Sequence, residues 1–315
     1  MSQQHWEQYY RTGALATGPM GSDGGYDLEV RQAWVDFFSP LPEAARILDV
    51  GTGNGAVALV AAETGAALGR RWEIHATDLA QIDPLRFVPE GSRRLAGIEF
   101  HADVATERLP FEAGSFDAVS GQYALEYSEE AAALAEVGRV LKPGGRAQFI
   151  VHHADSVLVR NAHESLAQAR FVNDEIMIYS RLRRFTTLEG ATLEVVRRET
   201  EALRDSIRRL KQAVQEAPRE SRLILEVALD AVHKLLVART RMSPADMGKE
   251  IDLVSHELQA SAQRLIDLVG RAKTAQGLAD LEQRASALGF AGAELAPQHH
   301  AGAHLVGWRV TLRRA

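Results

Sequence analysis

The sequence predicts an α/β protein: a doubly wound, mostly parallel sheet of seven strands with an antiparallel last strand, carrying an all-helical insertion. Three observations predict it. Between Ala45 and Val151, short β-branched apolar runs alternate with alanine-rich stretches of helical period, the pattern of βαβ units. The first apolar run ends in a glycine turn, Gly51 to Gly55. After a long helix-period region the chain returns to two apolar runs, Gly289 to Ala296 and Val306 to Arg313, which read as a hairpin that completes the sheet.

Strands read at Arg46 to Val50, Trp72 to Thr77, Ile98 to Ala102, Phe116 to Ser120 and Arg146 to Val151, with helices at Ala56 to Thr64 and Glu129 to Val140. The runs are nearly continuous in apolar residues because a parallel sheet is covered on both faces. After about Ala154 the texture changes. Val196, Leu203, Ile207, Leu210 and Val214 recur at spacings of seven, four, three and four. Ala217 and Pro218 break that helix, and Leu223 to Ala238 form the next. Ser243 and Pro244 then read as an N-cap and first helical residue, leading into Met247, Ile251, Val254, Leu258, Leu265 and Val269. These are amphipathic helices of a bundle or hairpin. A last helix, Ala279 to Leu288, precedes the two final strands, which PQHHAGAH joins as a turn. The expected division is an α/β core over 1–153 and 277–315, with the helical insertion over 154–276.

The composition, 46% apolar and 25% charged over 315 residues, is that of a globular protein. With no cysteine there is no disulfide framework, thiolate metal site or cysteine nucleophile. A net charge of -6 does not advertise a nucleic-acid binder, although a local basic patch stays open. No apolar run approaches the ~20 residues of a membrane span. The opening MSQQHWEQYYRTG lacks the regions of a signal peptide, so the cytoplasm is the expected location.

The sharpest signal is ILDVGTGNGAVAL, Ile47 to Leu59: a strand ending in Asp49, a glycine turn, then a helix. Such a turn takes positive φ, lets a ligand lie against bare backbone, and aims helix N–H groups at it. Two chemistries compete. Gly51, Gly53 and Ala56 satisfy a dinucleotide G-x-G-x-x-A fingerprint with Asp78 as its acidic residue. Asp49 argues the other way, because a carboxylate before the turn suits a cationic ligand better than a diphosphate.

Five landmarks in order, LDVGTGNG at Leu48 to Gly55, ATDLA at Ala76 to Ala80, HADV at His101 to Val104, FDAVSGQYALEY at Phe116 to Tyr127 and LKPGGR at Leu141 to Arg146, resemble the class I S-adenosylmethionine-dependent methyltransferase family. The resemblance covers about 190 residues and implies a Rossmann-like fold. It implies that Asp49, with the backbone of Gly51, Gly53, Asn54 and Gly55, faces the methionine part of S-adenosylmethionine. Asp78 would accept from both ribose hydroxyls, with Leu79 on the adenine. Asp103 would accept from the adenine amino group, the Val104 N–H would donate to the ring, and Gln122 would lie near the methionine end. Asp49, Asp78 and Asp103 could singly be turn caps; together they stand at three strand C-terminal ends, where open α/β sheets bind ligands. LKPGG is read as a turn without chemistry.

The fourth strand ends in SGQY, not in the Asn or Asp followed by Pro-Pro and an aromatic with which the family methylates nucleobase amino groups. That departure argues against DNA adenine or cytosine methylation. His152 and His153, at the end of the fifth strand, are the first candidates for a general base because imidazole titrates near neutrality, with Glu126 and Tyr127 next. The aromatics His5, Trp6, Tyr9, Tyr10, Tyr26 and Trp34 are interrupted by the glycine-rich GALATGPMGSDGGYD. They read either as a lid over 1–44, with Tyr10, Tyr26 and Tyr123 lining the substrate side, or as anchors pinning helices to the sheet. His299, His300 and His304 read as an exposed group in the hairpin turn, and no metal is expected.

The expected function is methyl transfer to an O, N or C nucleophile of a small molecule, with S-adenosylhomocysteine as product. Alternatives are RNA or protein as acceptor through the insertion, an NAD-dependent oxidoreductase, and a non-catalytic binding module. The insertion is expected to serve as a substrate cap, a homodimer interface, or both. Arg181, Arg183, Arg184, Arg197, Arg198, Arg208, Arg209 and Lys211 could grip phosphate, but the interleaved Glu199, Glu201 and Asp205 favour a solvated helix face.

Overall fold

Ile47, Leu48 and Val50 leave Asp49 as the one polar residue in the buried part of β1 (Arg46–Val50), and the strand lies in the middle of the sheet. The computed structural model describes residues 4–17, 26–219 and 221–315; the stretch 18–25, within the expected lid, lies outside them. The chain divides into two compact units, residues up to 159 with 270–315, and residues 160–269.

The first unit opens with α1 (Gln4–Tyr10) and α2 (Leu28–Phe38), continues through β1, α3 (Ala56–Ala67), β2 (Glu73–Thr77), the short α4 (Pro84–Phe87) and α5 (Gly91–Arg94), β3 (Ile98–His101), β4 (Phe116–Gln122), α6 (Glu130–Val140) and β5 (Leu141–Val151), and enters α7 (Val157–Arg170). The second unit holds the rest of α7, then α8 (Ile178–Thr186), α9 (Leu193–Glu216), α10 (Leu223–Ala238) and nearly all of α11 (Pro244–Arg271). The chain then returns to the first unit for α12 (Ala275–Ala287), β6 (Phe290–His300) and β7 (His304–Arg314).

The seven strands run in the order β3-β2-β1-β4-β5-β7-β6. β1 to β5 are parallel, and β7 is antiparallel to both its neighbours. Strand order reverses between β1 and β4, so the crevice of this sheet opens beyond the ends of those two strands. On one face Trp34, Phe37 and Phe38 of α2 pack with Val57 and Val60 of α3. On the other, Phe116 and Phe149 pack with Leu134 and Val137 of α6 and Leu278 and Leu281 of α12. Side chains cap these helices: Asp27 accepts from the Val30 N–H, and Glu129 from those of Ala131 and Ala132.

Two strand boundaries differ from the sequence reading by more than two residues, and the last helix starts at Ala275 instead of Ala279. β5 begins at Leu141, because LKPGG forms an irregular first rung: Phe116 pairs with Leu141, and regular pairing resumes at Ala118 with Arg146. β6 runs on to His300 through Pro297, which an edge strand tolerates because its outer N–H positions need no partner. His299 and His300 therefore end β6 and His304 starts β7, instead of sharing a turn. The His300 Nδ1 lies 2.6 Å from Asp27 Oδ2, and the Gly302 N–H donates to Glu29 Oε1 at 2.7 Å, so the hairpin tip is tied to the start of α2.

The helical unit has its own core, where Leu203 and Leu210 of α9 meet Leu225 and Val232 of α10 and Met247, Ile251 and Leu258 of α11. Three arginines of α9 are paired with carboxylates, Arg197 with Glu201 at 3.1 Å, Arg198 with Glu199 at 3.0 Å, and Arg208 with Asp205. Among the described residues no helix is long and apolar enough to cross a membrane.

Where the chain re-enters the first unit, Lys273 is stapled to the end of β5. Its N–H donates to the His152 carbonyl at 2.7 Å, and its carbonyl accepts from the Ala154 N–H at 2.9 Å. Its ammonium and the Arg284 guanidinium both meet Glu130, a buried carboxylate at the start of α6. Glu130→Ala removes the acceptor of both cations. It is expected to lower stability by about 2–3 kcal/mol in denaturant unfolding, below the 3–5 of a fully buried pair because Arg284 is half-exposed.

Candidate functional site

The glycine turn wraps the end of β1 and delivers the chain into α3. Gly51 and Gly53 have φ of 60° and 53°. A Cβ at Gly51 would stand 2.3 Å from the Ala124 Cβ, and one at Gly53 would stand 2.7 Å from the Tyr10 ring. Only glycine meets both demands. Tyr10 thus lies on the turn. Asn54 fixes it there by donating from Nδ2 to the carbonyls of Tyr10 and Ala14, at 2.9 and 2.7 Å.

Asp49 is buried beneath this turn. Thr52 donates its hydroxyl to Oδ2 at 2.6 Å and Ser120 donates to Oδ1 at 2.7 Å. Ser120 is the register partner of Asp49 on β4. Burial pushes the Asp49 carboxyl up to about 7, against the two hydroxyls that pull it down, and nearby Asp78 adds to the rise. Asp78, past the end of β2, accepts from the Gly53 N–H on Oδ2 and the Ala80 N–H on Oδ1, each at 2.8 Å. Burial raises it to about 6, and those two N–H groups oppose the rise. Tyr26 is buried, and its phenol is pushed well up, by desolvation first and then by Asp49.

β4 ends in a second cluster. Gln122 is buried and accepts from the Trp34 indole N–H at 2.6 Å, while its own Nε2 has no partner among the described residues. Tyr123 follows at φ 53°, strained for an aromatic residue. It is held by its N–H on the Ile150 carbonyl at 2.7 Å, its hydroxyl on the Val306 carbonyl at 3.1 Å, and its ring stacked flat on His152 at 3.9 Å. Backbone strain of this kind concentrates at functional sites. The buried Glu126 carboxylate accepts the His152 N–H at 2.8 Å, and its Oε2 has no partner among the described residues.

Residues 47–145 match the family model described as a methyltransferase domain. The α/β unit therefore carries a methyltransferase domain. The chain is similar to a demethylmenaquinone methyltransferase of Beutenbergia cavernae, 36% identical over 39% of this chain and 46% of the relative. It is also similar to a dimethylglycine N-methyltransferase of Parasynechococcus marenigrum, 29% identical over 57% of this chain and 63% of the relative. The matches span less than two-thirds of the relatives' own lengths. A solved S-adenosylmethionine dependent methyltransferase from Mesorhizobium loti aligns with a TM-score of 0.33 at 27% identity, over 42% of this chain and 57% of the other.

Within the methyltransferase domain the sequence-predicted residues fall into three groups. Asp49, Gly51, Gly53, Asn54, Gly55, Asp78 and Tyr10 are brought together at the glycine turn. Gln122, Tyr123, His152 and Glu126 are brought together beyond β4 and β5. Leu79 and Asp103 are exposed, and Asp103 accepts from the Gln81 side-chain amide. The Val104 N–H, expected to be available to a ring, donates to the Asp78 carbonyl at 2.9 Å; the turn that carries Asp103 consumes it.

The general-base argument also needs correction. Burial drives His152 down to about 3, so it does not titrate near neutrality and its Nδ1 has no partner to stabilise a proton. His153 Nδ1 accepts from the Asp155 N–H at 3.2 Å. Glu126, next with Tyr127 in the sequence reading, shifts the other way: burial lifts its carboxyl to about 7, against the His152 N–H that lowers it. Two supports of Asp49 and Gln122, Ser120 and Trp34, were not read as site residues. The only sequence signal for either is a hydroxyl and an indole set among apolar neighbours.

The raised acids give a signed prediction for the ligand-free protein. Asp49 and Glu126, protonated more readily folded than unfolded, stabilise the fold fully below pH ~4, and that contribution is lost as pH rises through about 7. His152 and His101, both depressed, work oppositely, mostly below about pH 7. Above pH 6.5 the falling limb of the two acids outweighs the tail of that rise. Stability should drop by about 1 kcal/mol per raised acid between pH 6.5 and 8. In Asp49→Asn the drop should shrink by about that amount in denaturant titrations at the two pH values.

Proposed function

We propose that the chain transfers the methyl group of S-adenosylmethionine to a nucleophile of a small molecule and releases S-adenosylhomocysteine. The observation that carries this reading is the pair Asp49 and Asp78, two buried carboxyls raised toward neutrality at the glycine turn of a methyltransferase domain. The site fits the cofactor. A cationic ammonium would relieve the buried Asp49, and the unpartnered Asn54 Oδ1 and Gln122 Nε2 supply an acceptor and a donor at the same crevice. Asp78 uses one lone pair per oxygen on Gly53 and Ala80, and keeps others for ribose hydroxyls. Leu79, 46% exposed, presents an apolar surface for adenine, and Asp103 an acceptor for its amino group.

When bound, the cofactor supplies a sulfonium methyl carbon electrophilic enough to need alignment more than covalent help. The chain's residues do the rest. Tyr10, on the turn, and the strained Tyr123 exclude water and position the acceptor. Glu126 takes the proton of a protonated nucleophile, its carboxyl near 7 matched to that task.

The small-molecule acceptor is supported by the relatives, a demethylmenaquinone methyltransferase and a dimethylglycine N-methyltransferase. Three arginines of α9, Arg197, Arg198 and Arg208, pair with carboxylates of the same helix, which weakens the phosphate grip that would favour RNA. The helical unit is assigned to acceptor recognition or self-association, and the exposed Leu223, Val227 and Val237 of α10 favour the latter.

Calorimetric titration with S-adenosylhomocysteine is expected to show binding that Asp78→Ala weakens by roughly 1–3 kcal/mol, the scale for unpairing polar groups. An unchanged dissociation constant would remove Asp78 from the site, and binding of NAD instead would overturn the reading. At saturating cofactor, kcat on a protonated acceptor should rise with pH through about 7, because only ionised Glu126 accepts a proton. Glu126→Gln should lower kcat about 100-fold or more and abolish that limb.

A further inference from the structure

The edge of the sheet carries a cluster that plays no part in methyl transfer. His75 on β2 is level with Glu99 on β3, and His101 stands two residues further along the same strand, so all three side chains share one face. Their ligand atoms lie within 4.8 Å of one another. His75 Nδ1 is 3.1 Å from His101 Nε2 and 3.5 Å from Glu99 Oε2, and His101 Nε2 is 3.6 Å from Glu99 Oε1. Ligands bound to zinc at about 2.0–2.1 Å in a tetrahedron stand about 3.3–3.4 Å apart. Each of the three separations, with the carboxylate turning one oxygen to each imidazole, is close to an edge of that tetrahedron.

We propose that His75, Glu99 and His101 form a binding site for a divalent transition metal of the zinc class, with solvent in the fourth position. Nothing in this site depends on the methyl-transfer reading.

The surroundings prepare His75 as a ligand. Glu73 Oε1 stands 2.7 Å from His75 Nε2, a contact that needs the proton on Nε2 and leaves the Nδ1 lone pair facing His101. This is the carboxylate–histidine arrangement that fixes tautomer and raises basicity in metal sites. Arg46 also approaches Nε2, at 3.2 Å. Its guanidinium cannot accept a proton, and it is engaged at 2.8 Å with the same Glu73 oxygen, so the carboxylate sets the tautomer. The ring of Phe111 packs edge-on against both imidazoles, each at 5.3 Å. His75 is buried, whereas Glu99 is exposed and His101 partly so, which leaves a path for an ion from solvent. The chemistry selects the metal class: two imidazoles and one carboxylate suit zinc and its neighbours better than calcium or magnesium, which take oxygen ligands.

A bare hydrogen bond between the two imidazoles is the competing account, and titration of the untagged full chain with zinc chloride separates them. We expect one zinc per chain, and on substitution with cobalt a visible absorption band of tetrahedral intensity. His101→Gln and Glu99→Gln, partly or fully exposed positions that spare the buried His75, should each weaken binding tenfold or more and erase the cobalt band. His300→Gln with His304→Gln should leave both unchanged. Binding equal in the wild type and the two ligand variants, loss on changing the hairpin histidines instead, or no binding at all would overturn the proposal. Retained binding of S-adenosylhomocysteine by His101→Gln would show that the variant is folded.

Discussion

The burial of Asp49 at the head of the central strand is the constraint to which the rest of the α/β unit answers. A carboxylate taken out of water without partners costs several kcal/mol, and this one is accommodated by hydroxyls from two directions, Thr52 in the glycine turn and Ser120 on the adjacent strand. The first contact needs the turn to fold back over β1, hence glycine at 51 and 53. The second needs β4 beside β1 in a register that sets Ser120 level with Asp49. The strand reversal that makes the crevice and the hydrogen bonds that tolerate the charge are therefore one arrangement. The carboxyl remains raised, which leaves it unsatisfied until a cation arrives.

Proton chemistry in the second cluster follows from environment more than residue type. His152 and Glu126 lie in contact and are both buried, yet burial acts on them in opposite senses: it denies His152 a proton and encourages Glu126 to hold one. Histidine is the residue that titrates near neutrality in water; here the glutamate does. Two groups whose environments push their protonation apart mark an acid–base assignment. Tyr123, stacked on the neutral imidazole and strained in its backbone, is rigid where an acceptor would be oriented.

The N-terminal segment joins the two clusters. Asn54 holds Tyr10 over the glycine turn, Trp6 stacks on Tyr10 and meets Tyr127 edge-on, and Trp34 of α2 reaches Gln122. Trp34 thus anchors α2 to the sheet, and Tyr10 packs on the glycine turn.

Much of this was legible in the residues. The apolar alternation located every strand of the sheet, the glycine turn fell at the end of β1 as read, and the heptad-like spacing of Val196 to Val214 located a helix of the second unit. The lesser errors were of extent: β5 began at Leu141 and β6 ran through Pro297, because pairing with a neighbour, which local propensity does not encode, carried each strand past its turn signals. The sequence by itself determined which side chains are available, since period and chemistry are written locally. Only the tertiary structure decided what those side chains do. Burial pushed the His152 imidazole down and the Glu126 carboxyl up, and the register of β2 against β3 brought His75 to Glu99 and His101, because solvation and strand register are properties of neighbours distant in the chain.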